Sequence, residues 1–131
     1  MNLPAAGNFQ VSVKGLHFND EGRLLMMREK EGVWELPGGR AQKGENLIEC
    51  LIRECREETS LHCEVLEQQP SIVFSAVDQN GRPRLMVFYA INFEHLDFTP
   101  SDECVEMRFF DKKEIRKLPT NPQVAMLVQF L

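Results

Sequence analysis

The sequence predicts an α/β fold in which a mixed β-sheet is sandwiched between helices. Three observations predict it. Segments with strand patterning interleave with helical ones, without the regular alternation of a β-α-β chain. One stretch, residues 46–59, carries a strong amphipathic helix pattern. Turn signals at Asn19-Asp20-Glu21-Gly22 and Asp78-Gln79-Asn80-Gly81 break up the extended segments.

The elements follow in chain order. Residues 1–8 read as a loosely held lead-in; they lack the basic and apolar regions of a secretory signal, so none is expected. Residues 9–18 alternate in part, with Phe9, Val11 and Val13 set against Gln10, Ser12 and Lys14, and read as a strand. Residues 23–28 read as a second strand, paired with the first as a hairpin across the 19–22 turn. Residues 34–36 form a short extended piece that Pro37-Gly38-Gly39 stops. In the 46–59 helix, Ile48, Leu51, Ile52 and Cys55 fall at i, i+3, i+4 and i+7 and make one apolar stripe.

Residues 61–66 and 71–77 read as strands, and Asn80-Gly81 centres a hairpin turn. Residues 84–93 (RLMVFYAINF) are too continuously apolar for an exposed edge strand. Another strand covers 105–110 and a short helix 112–117. Asn121-Pro122 starts a last helix, with Asn as cap and Pro in the first turn. Its Val124, Met126, Leu127, Val128 and Phe130 are expected to close the core.

A chain of 131 residues predicts one domain over 1–131, with a core that needs no disulfide or structural metal. At 43% hydrophobic and 27% charged residues it is not a disordered chain. No apolar run approaches the roughly 20 residues of a membrane span. The net charge of −5 argues against a nucleic-acid polymer as partner. It leaves room for a small phosphorylated ligand bridged by a divalent cation. Cys50, Cys55, Cys63 and Cys104 form no C-x-x-C motif, and His17, His62 and His95 are scattered, so no zinc site is expected. Reduced thiols and a cytoplasmic location are.

Chemistry concentrates in residues 39–61, GRAQKGENLIECLIRECREETSL. Glu54, Glu57 and Glu58 stand at i, i+3 and i+4, so their carboxylates share one helix face. Their repulsion costs several tenths of a kcal/mol per pair, and the helix dipole disfavours anions past its middle. Such a face is either simply solvated or a cation site. Two flanking features favour the site: Pro37-Gly38-Gly39 brings bare backbone near the helix, and Gly44-Glu45 adds a fourth carboxylate. Oxygen-only ligands suit Mg²⁺ or Mn²⁺, which bridge carboxylates to phosphates. Arg53, four residues before Glu57, can orient its carboxylate.

This stretch resembles the Nudix box, G-x5-E-x7-R-E-U-x-E-E-x-G-U, where U is a bulky apolar residue. Gly39, Glu45, Arg53, Glu54, Glu57 and Glu58 fall at the family's positions, Cys55 takes the first U and Leu61 the last. Ser60 stands where the family has the Gly that closes the helix in a left-handed turn, at a cost of up to about 1 kcal/mol. The resemblance covers most of the chain. It implies the Nudix-type α/β/α sandwich with a mixed sheet, and hydrolysis of a nucleoside diphosphate linked to another moiety X. Carried over by position, it implies Glu54, Glu57 and Glu58 as ligands of Mg²⁺, with Mn²⁺ able to substitute. The carbonyl of Gly39 or Gly38 is a further ligand, Arg53 holds the glutamates and Glu45 supports the loop. Glu57, Glu54 and Arg53 are the catalytic candidates. The base is a box glutamate or a later one, Glu103 or Glu106, and Glu103 is preferred as an extra metal ligand.

The substrate is less legible. The proline of some ADP-ribose hydrolases would fall near Ala76, but the nearest prolines are Pro70 and Pro83. The segment that marks NADH-type members is absent. Compact length and the Leu118-Pro119-Thr120-Asn121-Pro122 end are similar to MutT-like nucleoside triphosphate hydrolases. Asn121 either caps the last helix or reads a purine edge through its amide. Phe74 and Trp34, with Phe88 and Tyr89, either stack on a base or belong to the core. The expected partner is a small nucleotide, with no membrane, and a homodimer stays open. The alternatives are an ADP-ribose or nucleotide-sugar pyrophosphatase and a non-catalytic nucleotide-sensing domain. The intact box argues against the last.

Overall fold

The computed structural model of the chain describes residues 9–131, so the lead-in over 1–8 lies outside the described residues. The elements are β1 (Gln10–Leu16), β2 (Leu24–Arg28), β3 (Trp34–Glu35), β4 (Gly38–Arg40), α1 (Leu47–Thr59), β5 (Cys63–Val65), β6 (Ile72–Val77), β7 (Pro83–Phe93), β8 (Glu106–Phe110), α2 (Lys112–Ile115) and α3 (Pro122–Val128).

The long apolar strand β7 organises the molecule. It runs parallel to β1 and antiparallel to β6 and β5, and β4 extends the sheet antiparallel to β1. Successive side chains of a strand point to opposite faces. Met86 and Phe88 accordingly join Trp34, Leu36 and, from α3, Val124 and Leu127 in one core. Val87, Tyr89 and Ile91 join Leu51 and Cys55 of α1 in the other. Helices therefore cover both faces of a mixed sheet, the predicted α/β/α sandwich. No helix among the described residues is long and apolar enough to cross a membrane. All four cysteines are buried free thiols.

Four local expectations are corrected. β2 does not form a hairpin with β1; only an isolated bridge, Phe18 to Leu24, joins them. β2 instead lies between β3 and β8 in a second, three-stranded sheet. The edges of β1 are already taken by β4 and β7, and the buried run Leu24, Leu25, Met26 and Met27 needs cover on both faces. The extended piece does stop before Pro37, where β3 ends at Glu35, but Gly38 and Gly39 are not a turn: they begin β4, which belongs to the other sheet. Gly38 sits at φ +125°, and a Cβ there would lie 2.0 Å from the Val13 carbonyl oxygen, so only glycine lets β4 pair so closely with β1. The turn between β6 and β7 spans residues 78–82, since Val77 pairs with Pro83. Asp78 closes it by accepting hydrogen bonds from the Asn80 and Arg82 amides, so Asn80-Gly81 is not a two-residue centre. At the C-terminal end, Val124, Leu127 and Val128 are buried, but Phe130 lies beyond α3 and is 55% exposed.

Candidate active site

Helix α1 sets the geometry. Asn46 caps its start by accepting the Glu49 amide at 2.8 Å, and Ser60 closes its end in the left-handed conformation, φ 63°. Cys50, Leu51 and Cys55 pack beneath the helix, which fixes its rotation. Glu54 and Glu58 then face β4. The Glu58 carboxylate, 7% exposed, accepts the Gly38 amide at 3.0 Å. Glu54 lies so close over Gly39 that a Cβ there would come 2.5 Å from its Oε2. The close approach of helix and strand thus depends on two glycines.

Glu103 arrives from the segment before β8. The Ser101 hydroxyl donates to the Glu58 carbonyl at 2.7 Å, and the Lys30 amide donates to the Asp102 carbonyl at 2.8 Å. One carboxylate oxygen from each of Glu54, Glu58 and Glu103 lies within 4.8 Å of the others. An all-oxygen trio at this spacing fits a hard divalent cation. Burial pushes Glu58 up to about 8, opposed by nearby Lys14 and the Gly38 amide. Burial also raises Glu54 above the ordinary carboxylate range, with Arg53 pulling the other way. The trio concentrates negative charge that either protons or a cation must offset.

Arg53 is the hub of the outer cluster. Its Nε and Nη2 donate to Glu45 at 2.6 and 3.0 Å, and its Nη1 donates to Glu54 at 3.0 Å and Glu57 at 3.1 Å. These hydrogen bonds hold Glu45 down to about 2. Glu57 is therefore turned toward Arg53, with its side chain 57% exposed, and it is not one of the closely spaced trio. The Gly38 carbonyl accepts from Lys14 at 3.2 Å, and the Gly39 carbonyl faces the Cys50 thiol at 3.9 Å. Glu106 pairs with Arg28 and Arg108 instead of joining the trio.

The trio opens into a cleft of about 490 Å³ whose walls include Lys14, Glu35, Arg84, Asn121 and Gln123. Asn121 occupies the cap position of α3 without capping it; its amide reaches toward Glu35 Oε2 at 3.4 Å. The aromatic candidates lie off the cleft. Trp34 is 6% exposed and packs edge-on against Phe110, with ring centres 4.9 Å apart. Phe74 is stacked between Phe88 and Phe130 on the α3 side of the sheet. Both rings belong to packing, because β3 and β6 turn them toward the same core as Met86 and Phe88. A second cleft of about 370 Å³, lined by His62 and His95, holds none of the box carboxylates. No local sequence pattern singles out Lys14, Glu35 or Gln123 as lining the cleft. The polar alternation Gln10, Ser12, Lys14 places Lys14 on one face of β1 and goes no further.

A family profile described as NUDIX domain matches residues 8–129. The chain is similar to the Nudix hydrolase YvcI of Bacillus subtilis, 26% identical over 117 residues, which are 86% of this chain and 72% of that protein. It is similar to the ADP-ribose pyrophosphatase of Methanocaldococcus jannaschii, 30% identical over 112 residues, 82% of this chain and 65% of that one. It is also similar to the human 8-oxo-dGDP phosphatase NUDT18, 54% identical over 56 residues, 40% of this chain and 17% of that one. The chain therefore spans less than two thirds of the latter two proteins. In fold it resembles the MutT protein from Methanosarcina mazei, with a TM-score of 0.74 at 22% identity over 95% of this chain and 93% of that one.

Proposed function

The chain belongs to the Nudix hydrolase family, and from that membership we propose that it hydrolyses a diphosphate bond in a nucleoside diphosphate linked to another moiety, foremost a MutT-like nucleoside triphosphate. The observation that carries this reading is the close trio of Glu54, Glu58 and Glu103 oxygens at the foot of a cleft. These residues would hold Mg²⁺, or Mn²⁺ in its place. Glu57 and the Gly39 carbonyl are the further proposed ligands. When bound, the cation neutralises phosphate charge and makes water a competent nucleophile near neutral pH.

The chain supplies the rest. Arg53 holds Glu54 and Glu57 in fixed orientation from its bidentate anchor on Glu45. Glu54 and Glu57 are the proposed catalytic carboxylates, one of which takes the proton from the attacking water. Asn121, free of capping and on the cleft wall, is the proposed contact for a nucleobase edge. Phe74 and Trp34 have no part in this reading.

The test is a substrate panel with Mg²⁺, its products identified by mass. It comprises nucleoside di- and triphosphates (oxidised ones included), ADP-ribose, nucleotide sugars and dinucleoside polyphosphates. Turnover of at least one substrate, abolished by chelator, is expected. Nucleotide binding with no turnover on any of them would establish the sensing reading instead.

A further inference from the structure

We propose that Lys14 contacts the substrate directly, donating a hydrogen bond from its ammonium to a non-bridging phosphate oxygen of the diphosphate. This deepens the hydrolase reading of the cleft and rests on it.

Lys14 lies in β1, opposite Gly38 of β4 and Phe88 of β7, and is only 8% exposed. Burying an ammonium is costly unless it is well paired, and a methionine would fill the same volume without charge. The pairing inside the protein is incomplete. Nζ donates to the Leu36 and Gly38 carbonyls at 3.4 and 3.2 Å. Glu35 Oε1 stands at 3.8 Å, close enough to attract the charge but beyond a hydrogen bond. An ammonium has three N–H donors, so one remains for something else.

The surroundings indicate what that is. Lys14 lines the same cleft as Glu54, Glu58 and Glu103. The other cations on the cleft wall are Arg40 and Arg84. Arg84 is committed, donating to Asp78 at 3.1 Å and to the Ser12 hydroxyl at 2.9 Å. Arg40 is exposed at the rim. Lys14 is thus the buried positive charge with a free donor beside the carboxylate trio, where an entering diphosphate meets strong negative potential.

The competing role is structural: Lys14 would merely neutralise Glu35 and pin the carbonyls of the 36–38 segment. Lys14→Gln separates the two, because its amide keeps N–H donors for those carbonyls and loses the charge. The measurements are calorimetric affinities for inorganic pyrophosphate in the presence of Mn²⁺, and for Mn²⁺ alone. Lys14→Gln is expected to weaken pyrophosphate binding about tenfold or more, the loss of one charge-assisted hydrogen bond. Mn²⁺ alone should bind at least as tightly as to the unaltered protein, since a neighbouring cation is gone. Unchanged pyrophosphate affinity, or a parallel loss of Mn²⁺ affinity, overturns the assignment while leaving the hydrolase reading intact. Failure of the unaltered protein itself to bind pyrophosphate with Mn²⁺ overturns the assignment, while the hydrolase reading stands or falls on the substrate panel. Should Lys14→Gln not fold, Lys14→Met combined with Glu35→Gln removes both charges together and faces the same two measurements.

Discussion

Glu58 keeps its proton in the folded, metal-free protein up to about pH 8, because burial disfavours the charged form. An exposed glutamate in the unfolded chain loses its proton near 4.5. The folded-state value is the higher one, so the contribution to stability is fully present below 4.5 and is lost as pH rises toward 8. Metal-free protein should therefore melt at progressively lower temperature between pH 5 and pH 8. Glu58→Gln should flatten that profile, and a slope unchanged in the variant would assign it to another group. Glu57 gives a contrasting expectation. Its only charged hydrogen-bonding partner among the described residues is Arg53, and because the Glu57 side of the pair is 57% exposed the bond is worth little. Glu57→Gln should leave the metal-free melting temperature almost unchanged. Turnover should fall a hundredfold or more if the carboxylate serves the reaction as proposed. Near-normal turnover would remove it from the catalytic set.

At the level of elements, α1 carries both the chemistry and two tests of its packing. Ser60 adopts the left-handed conformation that suits glycine. Ser60→Gly should raise stability by about 1 kcal/mol and the melting temperature by a few degrees, read from thermal unfolding. Cys55 is fully buried, so Cys55→Ser should cost about 1–3 kcal/mol by placing a hydroxyl in the core, without loss of turnover below the melting transition. The start of this helix, its apolar stripe and the shared side of Glu54 and Glu58 were legible because helical periodicity is local, whereas the turning of Glu57 toward Arg53 was not. The centrality of β7 was legible from its unbroken apolar run. The partners of β2 were not, since strand pairing joins residues far apart in sequence: Leu24 meets Phe110. The burial of Lys14 depends on the same long-range pairings, and Glu103 was set beside Glu54 and Glu58 only by the family resemblance, since no local pattern joins them. Trp34 could be read either way until the second sheet placed it against Phe110.

Across the whole molecule, the carboxylate trio joins parts that the backbone holds separately. Glu54 and Glu58 ride on a helix packed against the β7 sheet, and Glu103 precedes the β8 strand of the other. Mn²⁺ or Mg²⁺ should accordingly raise the melting temperature by several degrees at saturating concentration, an effect reversed by chelator and reduced in Glu103→Gln. No shift with either ion would count against the cation site. The alternation along β7 has a consequence of its own. The chain's one tryptophan, Trp34, lies in the core beneath α3, and its one tyrosine, Tyr89, in the core beneath α1. Each side of the sandwich therefore carries its own optical reporter: Trp34 fluorescence excited at the red edge of indole absorption reads one, and the Tyr89 band in second-derivative absorbance reads the other. Superimposable melting curves from the two would show that both halves come apart in a single cooperative event, and staggered curves would reveal which half lets go first.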